Sequence, residues 1–294
     1  MTIYKGDLYF ATMDFPFYID RYTIRKGEVV PSHTHDFVEL VYVASGSAKH
    51  IMDGREYRLG AGDVFVLEPS VYHSYEGAYA EEAVVYNVLF DISLLRNEIA
   101  SLQQLPAFVD FFFLAPFLRQ NAAFVAYTPL KEPQRALLEQ NLNALHREFR
   151  DRLDGYPLIV KTRLLECLVL LSRFHRERRQ PAVPRESADD YIDTIAKFVE
   201  RHYSQPISLE EISRSGGMSV SSFTAKFRAA HGQSLIEYKQ SIQIREACRL
   251  LETTDRKVLD IAHDTGFNDI SFFNKMFRKR TGMSPREYRR RSPG

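Results

Sequence analysis

The sequence predicts an α+β protein of several domains: a β-barrel, then two amphipathic helices, then an all-α region in which a helix-turn-helix unit occurs twice. Short runs rich in β-branched and aromatic residues alternate with turns over residues 8–90, as is typical of barrels and sandwiches. Apolar residues then recur at helical spacing over residues 133–149 and 158–175. Finally, the chain from 207 to 288 matches itself at an offset of 49 and then 50, which indicates two copies of one unit.

The composition is that of a globular chain with room for two cores. The 294 residues are 45% hydrophobic and 26% charged, which are ordinary values. The most apolar run, residues 108–117, is short and is interrupted by Asp110 and Pro116. We therefore expect a cytoplasmic protein with no membrane partner. Cys167 and Cys248 fall in helical apolar patterns, so we predict two reduced core thiols.

The barrel prediction rests on short strands separated by glycine-containing turns, such as Asp53–Gly54 and residues 60–62. The predicted strands are Phe15–Ile24, Phe37–Val43, Lys49–Ile51, Glu56–Leu59, Val64–Leu67 and Ala83–Phe90.

A spaced set of histidines lies inside this region. Gly27, His33, His35, Glu39 and Gly46 resemble the first motif of the cupins at full spacing. The segment 62–73 resembles the second motif and keeps its histidine, His73, but it lacks the glycine expected between proline and histidine. The resemblance implies a cupin-like barrel over residues 1–128.

The histidines suggest a site, because alternate residues of a strand face the same side. His33, His35 and Glu39 should point into the barrel and, with His73, could hold a divalent metal. The same side chains could instead line the pocket of a small effector or hydrogen-bond one another. The other inward candidates are Tyr42, Tyr75, Tyr86 and Asn87, and the predicted effector-binding set is His33, His35, Glu39, Tyr42, His73, Tyr75 and Asn87.

Two amphipathic helices follow the barrel. Pro133 opens the first, and the second carries Leu164, Cys167, Leu168 and Leu171 at i, i+3, i+4 and i+7. We assign residues 129–178 to a helical region that either pairs two chains into a homodimer or only covers the barrel. Residues 179–188 contain two prolines, and we predict that they form a linker.

The repeat fills residues 189–294. In each copy a short helix, a glycine turn and a second helix follow one another, with Phe223 and Phe227 in the first copy matched by Phe273 and Phe277 in the second. Ser208 and Ser219 stand at predicted N-caps. A helix over residues 234–251 joins the copies.

These motifs identify a family. The segments 207–213, 217–219, 261–267 and 282–288 resemble the DNA-binding domain of the AraC/XylS family of bacterial transcription regulators. The resemblance implies binding of double-stranded promoter DNA, a small-molecule effector in the barrel, a homodimer and contact with RNA polymerase. The segment 102–116 resembles that of the sugar-sensing, rhamnose-type members, so the expected effector is a sugar and the expected targets are carbohydrate-utilisation genes.

The resemblance also implies which residues touch DNA. The exposed face of each second helix should read bases, because the phenylalanines face the core. Ala225 stands where many relatives carry a long polar side chain, whereas Asn274 and Lys275 can pair with adenine and guanine. The predicted DNA-binding set is Ser219, Ser221, Thr224, Ala225, Lys226, Arg228, Asp269, Ser271, Asn274, Lys275 and Arg278.

Charge agrees with this assignment. Residues 189–294 hold 18 Lys and Arg against 14 Asp and Glu, or +4, and the chain total of +1 leaves −3 for the rest. Eight basic residues lie between Lys275 and Arg291, and some should contact phosphate. Two alternatives stay open: a metal-dependent cupin enzyme fused to a DNA-binding domain, and an architectural DNA-binding protein without a ligand. We predict a regulator rather than an enzyme.

Overall fold

Alternating apolar and polar residues in the first ninety positions produce two sheets that share one core. The structure is a computed structural model that describes residues 2–12, 14–52, 54–78, 80–121, 129–177 and 188–291. The chain divides into two compact units, Met1–Gln180 and Pro181–Gly294. Residues 179–187 of the predicted linker lie outside the described residues, and Ala188 already belongs to a helix.

The strands of the first unit form sheets of order β1-β3-β8-β5-β6 and β2-β9-β4-β7. Only β1 pairs in parallel among the described strands, with β3. Their bounds are β1 (Thr2–Tyr4), β2 (Phe17–Ile24), β3 (Val29–His35), β4 (Val38–Ser45), β5 (Ser47–Met52), β6 (Arg55–Gly60), β7 (Val64–Leu67), β8 (His73–Gly77) and β9 (Ala83–Phe90).

The strand prediction holds for the apolar strands and misses the polar ones. β7 and β9 have the predicted bounds. β2 begins two residues later than predicted, at Phe17, directly after Pro16, which has no N–H for a ladder. β1, β3 and β8 were absent from the predicted strand set because they are short and polar, and β3 contains Pro31.

The barrel core is apolar at one end. Buried side chains from both sheets form a single cluster that includes Ile24, Val43, Leu59, Phe65 and Val85. Each of these side chains is at most 3% exposed, so burial of apolar area holds the two sheets together.

Short helices and a long helix pair follow β9. A π-helical segment, Asp110–Leu114, separates α2 from α3. The helices are α1 (Ile99–Gln103), α2 (Pro106–Val109), α3 (Ala115–Asn121), α4 (Glu132–Asp151) and α5 (Tyr156–Glu177). α4 covers the β2-containing sheet, where the ring of Phe149 lies 5.3 Å from that of Phe17, and α5 packs on α4 and α2.

The apolar face of α5 is covered within the chain. The sequence left open whether the helix that carries Leu164, Leu168 and Leu171 pairs two chains or only covers the barrel, and each of these leucines is 0% exposed within its own chain. An amphipathic pattern shows only that one face of a helix is covered, not which element covers it. Here that face packs inside the unit.

The second unit is helical throughout its described part. Its helices are α6 (Ala188–Arg201), α7 (Leu209–Ser215), α8 (Val220–His231), α9 (Leu235–Thr253), α10 (Val258–Asp264), α11 (Ile270–Thr281) and α12 (Pro285–Arg291). α7–α8 and α10–α11 are the two predicted helix-turn-helix units, and α9 joins them. The sequence also suggests that Asp189 or Asp190 caps α6, but both residues lie in its first turn.

Candidate functional site

Three buried side chains meet inside the barrel. His35 ends β3, Glu39 is the second residue of β4 and His73 begins β8, and one ligand atom from each lies within 4.8 Å of the others. The Oε2 atom of Glu39 is 3.2 Å from His35 Nε2 and 3.5 Å from His73 Nε2. All three residues are at most 5% exposed, so the charge on Glu39 needs a compensating partner.

Backbone carbonyls fix the orientation of both rings. His35 Nδ1 lies 2.6 Å from the carbonyl oxygen of Phe37, and His73 Nδ1 lies 3.2 Å from that of Val71. Because a carbonyl only accepts, each Nδ1 carries the proton, and in the neutral ring Nε2 then presents a lone pair. Each Nε2 therefore faces the carboxylate either with a second proton, as an imidazolium that attracts it, or with a lone pair that repels it unless a metal ion lies between them.

The cluster fits a divalent metal ion. The Nε2 atoms of His35 and His73 are buried, and within the described residues neither forms a hydrogen bond of acceptable geometry. Two imidazoles and one carboxylate are a known ligand set for divalent transition metals, and histidine ligands bound to carbonyls through Nδ1 are the usual support. Burial raises the pKa of the Glu39 carboxyl, but its interactions with His35 and His73 outweigh this and lower the pKa below its ordinary value.

His33, the fourth predicted ligand, is not part of this three-residue group. Its ring lies 4.3 Å from that of His73, and its Nδ1 is 2.8 Å from the carbonyl oxygen of Pro31. Burial and the neighbouring His73 lower the pKa of His33, although the carbonyl of Pro31 opposes this. His33 therefore lines the cavity next to the group.

A cavity of about 310 Å³ opens above the group and is large enough for a small ligand. Predicted residues His33, His35, Glu39, Tyr75 and Asn87 line it. The sequence interpretation missed several polar or aromatic lining residues: Tyr4, Tyr9, Tyr18, Asp20 and Tyr22. Alternation along β2 places Tyr18, Asp20 and Tyr22 on one side, a signal that was available in the sequence.

Two predicted inward residues point away from the cavity. The hydroxyl of Tyr42 donates to the Glu139 carboxylate on α4, and the hydroxyl of Tyr86 donates to Asn143 Oδ1 at 2.7 Å. Tyr42 is three residues from Glu39 along β4, an odd number, so it must lie on the opposite face of the strand. The inward orientation predicted for Tyr42 and Tyr86 was wrong.

A further buried histidine adjoins the group. His50 on β5 is 1% exposed, and its ring stacks 4.7 Å from that of Tyr75 and lies 5.6 Å from that of His73. It was missed because its place depends on the pairing of β5 with β8, which no local pattern reveals.

The first helix-turn-helix unit has the predicted caps and core. The Oγ atoms of Ser208 and Ser219 accept from the amides of Glu211 and Ser222 at 3.3 and 3.2 Å. Phe223 and Phe227 are 0% exposed. The predicted contact residues of α8 lie away from this core, with Ser221, Ala225, Lys226 and Arg228 exposed and Thr224 half-buried.

The second unit repeats this arrangement with different side chains outside. Phe273 and Phe277 are 0% exposed. The predicted contact residues Ser271, Asn274, Lys275 and Arg278 are all exposed on α11.

The side chains of three predicted DNA contacts are hydrogen-bonded to the backbone of their own helices. Asp269 caps α11 by accepting from the amide of Phe272 at 2.8 Å, and Ser219 caps α8. The hydroxyl of Thr224 donates to the carbonyl of Val220 at 2.7 Å. These three residues therefore serve the local helices as well as any ligand.

Comparison with known proteins agrees with both halves of this description. A family model described as an AraC-like ligand binding domain matches residues 17–168, which are 152 of the 294 residues, and a helix-turn-helix domain model matches residues 212–291. The chain belongs to the AraC family of transcription regulators. It is thus a DNA-binding regulator with an N-terminal effector-binding domain, and the enzymatic alternative receives no support from these matches.

AraC-family relatives match along most of the chain. The transcriptional activator RhaR of Yersinia pestis bv. Antiqua (strain Angola) is 27% identical over 265 residues, covering 90% of this chain and 86% of RhaR. RhaR of Salmonella schwarzengrund is 27% identical over 273 residues, covering 92% and 89%.

Solved structures also match the chain, with low TM-scores. ToxT from Vibrio cholerae O395 is 16% identical and covers 95% of this chain and 98% of ToxT, with a TM-score of 0.34. The C-terminal domain of AraT from Geobacillus stearothermophilus is 24% identical and covers 38% of this chain and 87% of that domain, with a TM-score of 0.33. Among the described helices of this AraC-family chain, none has the length and apolarity that a membrane crossing requires.

Proposed function

We propose that this regulator controls carbohydrate-utilisation genes in response to a sugar held in the barrel cavity. The observation that carries the proposal is the lining of that cavity. Tyrosine rings suit the apolar faces of a sugar, while Asp20, Asn87 and His33 suit its hydroxyl groups. The relatives are named as activators, so we propose activation of transcription, which requires contact with RNA polymerase.

Ligand-dependent thermal unfolding tests the effector. At a hundred times its dissociation constant a sugar stabilises the folded state by about 2.7 kcal/mol. We expect one member of a monosaccharide panel to raise the melting temperature of the full chain, and Asn87→Ala to abolish that rise. Tyr42→Phe is the matched control, because its ring lies outside the cavity lining. A sugar shift that survives Asn87→Ala and disappears in Tyr42→Phe would contradict the proposed site.

We also propose that His35, Glu39 and His73 hold a divalent ion at the floor of this cavity. The convergence of two buried imidazole nitrogens and one buried carboxylate within 4.8 Å supports this. When bound, the ion would offer a Lewis-acidic centre to a hydroxyl of the effector. Calorimetric titration of the chelator-treated chain with Mn²⁺ or Zn²⁺ tests it. We expect binding at one ion per chain that Glu39→Gln removes and that His263→Gln, which changes an exposed histidine of α10, retains. Equal binding by both variants would rule out this ligand set.

A homodimer through α5 is the proposed assembly. A set of side chains on α5 recurs at spacings of four, three and four residues: Leu158, Thr162, Leu165 and Val169. This is the spacing of a coiled-coil seam, and Leu158 is 72% exposed. This seam lies on a different face of α5 from the buried leucines.

Sedimentation tests the assembly. We expect Leu158→Glu with Leu165→Glu to convert a dimer to a monomer, whereas Leu168→Ala should lower stability without separating the chains. A dimer that persists in the double variant would exclude this seam.

A further inference from the structure

A groove on the second helix-turn-helix unit gathers positive charge. The start of α10, one face of α11 and the start of α12 form its walls. Its polar lining includes Asn274, Lys275, Arg278 and Arg286, beside the half-exposed apolar side chain of Leu259. Asn274 and Lys275 belong to the predicted base-reading set, but no role has been assigned to Arg286.

The cations of this groove are not neutralised by the protein. In the part of the chain that the structure describes, no carboxylate forms an ion pair with Lys275, Arg278 or Arg286. The nearest acidic residue in sequence, Glu287, accepts from the amide and the hydroxyl of Ser284 through Oε2, both at 2.7 Å, and interacts with Arg278 only at longer range than an ion pair. Three exposed, unpaired cations on one concave surface indicate an anionic ligand.

The first unit forms the same hydrogen bonds at the position equivalent to this groove. Ser234 is bound by Glu237 as Ser284 is bound by Glu287. The hydroxyl of Tyr238 donates to Glu200, and that of Tyr288 donates to Glu252 at 2.6 Å. The residue directly before the glutamate is therefore structurally equivalent in the two units, and Ile236 in the first corresponds to Arg286 in the second.

The charges at the equivalent positions differ. The offset of the repeat sets Ala225 against Lys275 and Glu210 against Leu259. Arg228 matches Arg278, but its guanidinium lies 3.9 Å from the Glu237 carboxylate. The first unit thus offers one partly compensated cation and an exposed acid where the second offers three free cations.

We propose that the groove of the second unit binds a DNA phosphodiester through Arg278 and Arg286, a contact that the first unit lacks. Arg286 is then a phosphate-binding residue that anchors α12 to the backbone next to the bases faced by Asn274 and Lys275. This proposal rests on the proposed DNA-binding role of α11. It implies that the second unit supplies the larger electrostatic share of DNA affinity.

The salt dependence of binding to a mixed-sequence 30-base-pair duplex tests the proposal, because such binding depends on phosphates alone. Each phosphate contact contributes about 0.9 to the slope of log affinity against log salt. When the salt concentration rises from 50 to 200 mM, the fold loss of affinity should therefore be about 3.5 times smaller for Arg286→Ala than for the unaltered chain. Ile236→Ala is the position-matched control, and Arg249→Ala, whose guanidinium pairs with Glu246 at 2.8 Å, is the charge-matched control.

The outcomes separate this proposal from the general one. An unaltered chain that fails to bind any duplex contradicts the DNA-binding role itself. Salt-dependent binding that Arg286→Ala leaves unchanged overturns the phosphate contact alone. A loss of slope in Ile236→Ala or Arg249→Ala equal to that in Arg286→Ala overturns it as well, since neither side chain brings a free cation to the groove. Circular dichroism should show equal folding of the variants, because exposed substitutions seldom change stability by more than about 0.5 kcal/mol.

Discussion

The two helix-turn-helix units share a core and differ in their turns, in the helices that precede them and in their outer faces. Phe223 and Phe227 occupy the places of Phe273 and Phe277, and all four are fully buried. The outer face of the first unit carries Ala225 where the second carries Lys275. Such a comparison separates what the fold requires from what the ligand requires, because only the features common to both units are needed to build the frame.

The largest expected effect tests the shared core. Phe223→Ala and Phe273→Ala should each lower the free energy of unfolding of the helical unit by about 3–5 kcal/mol, since each removes a buried ring and leaves a cavity. Urea unfolding measures both. Phe272→Ala is the control, because Phe272 is 46% exposed. A much smaller cost at one of the two buried positions would show that the cores are not equivalent.

The next effect is the loss of stability at low pH, which should differ between the residues that follow the helix before each unit. His202, which follows α6 and supports the first unit, is 9% exposed, and burial, aided by Arg201, lowers its pKa to about 4. The corresponding residue of the second unit is Thr254, because it directly follows α9 as His202 directly follows α6. Above the ordinary histidine pKa of about 6.5 neither the folded nor the unfolded chain is protonated there, so stability is unaffected. Between pH 6.5 and 4 only the unfolded chain gains the proton, so stability falls with pH.

This loss should approach about 3 kcal/mol by pH 4, at about 1.36 kcal/mol for each unit of pKa shift. Urea unfolding at pH 7, 5.5 and 4 measures it, and His202→Gln should flatten the dependence. If His202→Gln and the unaltered chain lose stability in parallel, His202 is not the responsible group.

Sequence predicts the frame of these units well because its signals are local. Caps such as Ser208 and Ser219 act within a few residues, and both have their predicted roles. The barrel site was partly accessible for the same reason: His35 and Glu39 are close in the chain, and their spacing places both in the cavity. Whether His33 joins the metal-binding group depends on three-dimensional distances that spacing does not fix.

The parts that sequence could not supply depend on long-range packing. His50 reaches the cluster through strand pairing, and the buried face of α5 is covered by α4 and α2. Neither partner is encoded near the residue concerned. The orientation of Tyr42 is a different case, since counting along β4 from Glu39 would have placed it correctly.

A smaller effect contrasts the two turns. Gly217 and Gly266 are equivalent and have φ of +65° and +86°, where a side chain costs about 1–2 kcal/mol. A Cβ on Gly217 would meet nothing within 4 Å, but on Gly266 it would lie 2.4 Å from the carbonyl oxygen of Ser204. Gly266→Ala should therefore cost about 2 kcal/mol more than Gly217→Ala in urea unfolding. Equal costs would show that the second turn can shift away from Ser204.

The smallest effect concerns the bond that ties each unit to the helix before it. The hydroxyl of Tyr191 on α6 donates to the carbonyl of Ile212 at 2.7 Å. The side-chain amide of Gln243 on α9 donates to the carbonyl of Thr265 at 2.8 Å. The Ile212 carbonyl also accepts from the amide of Gly216 at 3.1 Å.

Tyr191→Phe therefore leaves its acceptor with a partner and should cost about 1 kcal/mol or less. Gln243→Leu leaves the buried Thr265 carbonyl without this donor and should cost about 1–3 kcal/mol. Urea unfolding of the two variants side by side measures the difference. If Tyr191→Phe were the more damaging, the bond from α6 would matter more than its geometry indicates, and the first unit would depend on its preceding helix more strongly than the second does.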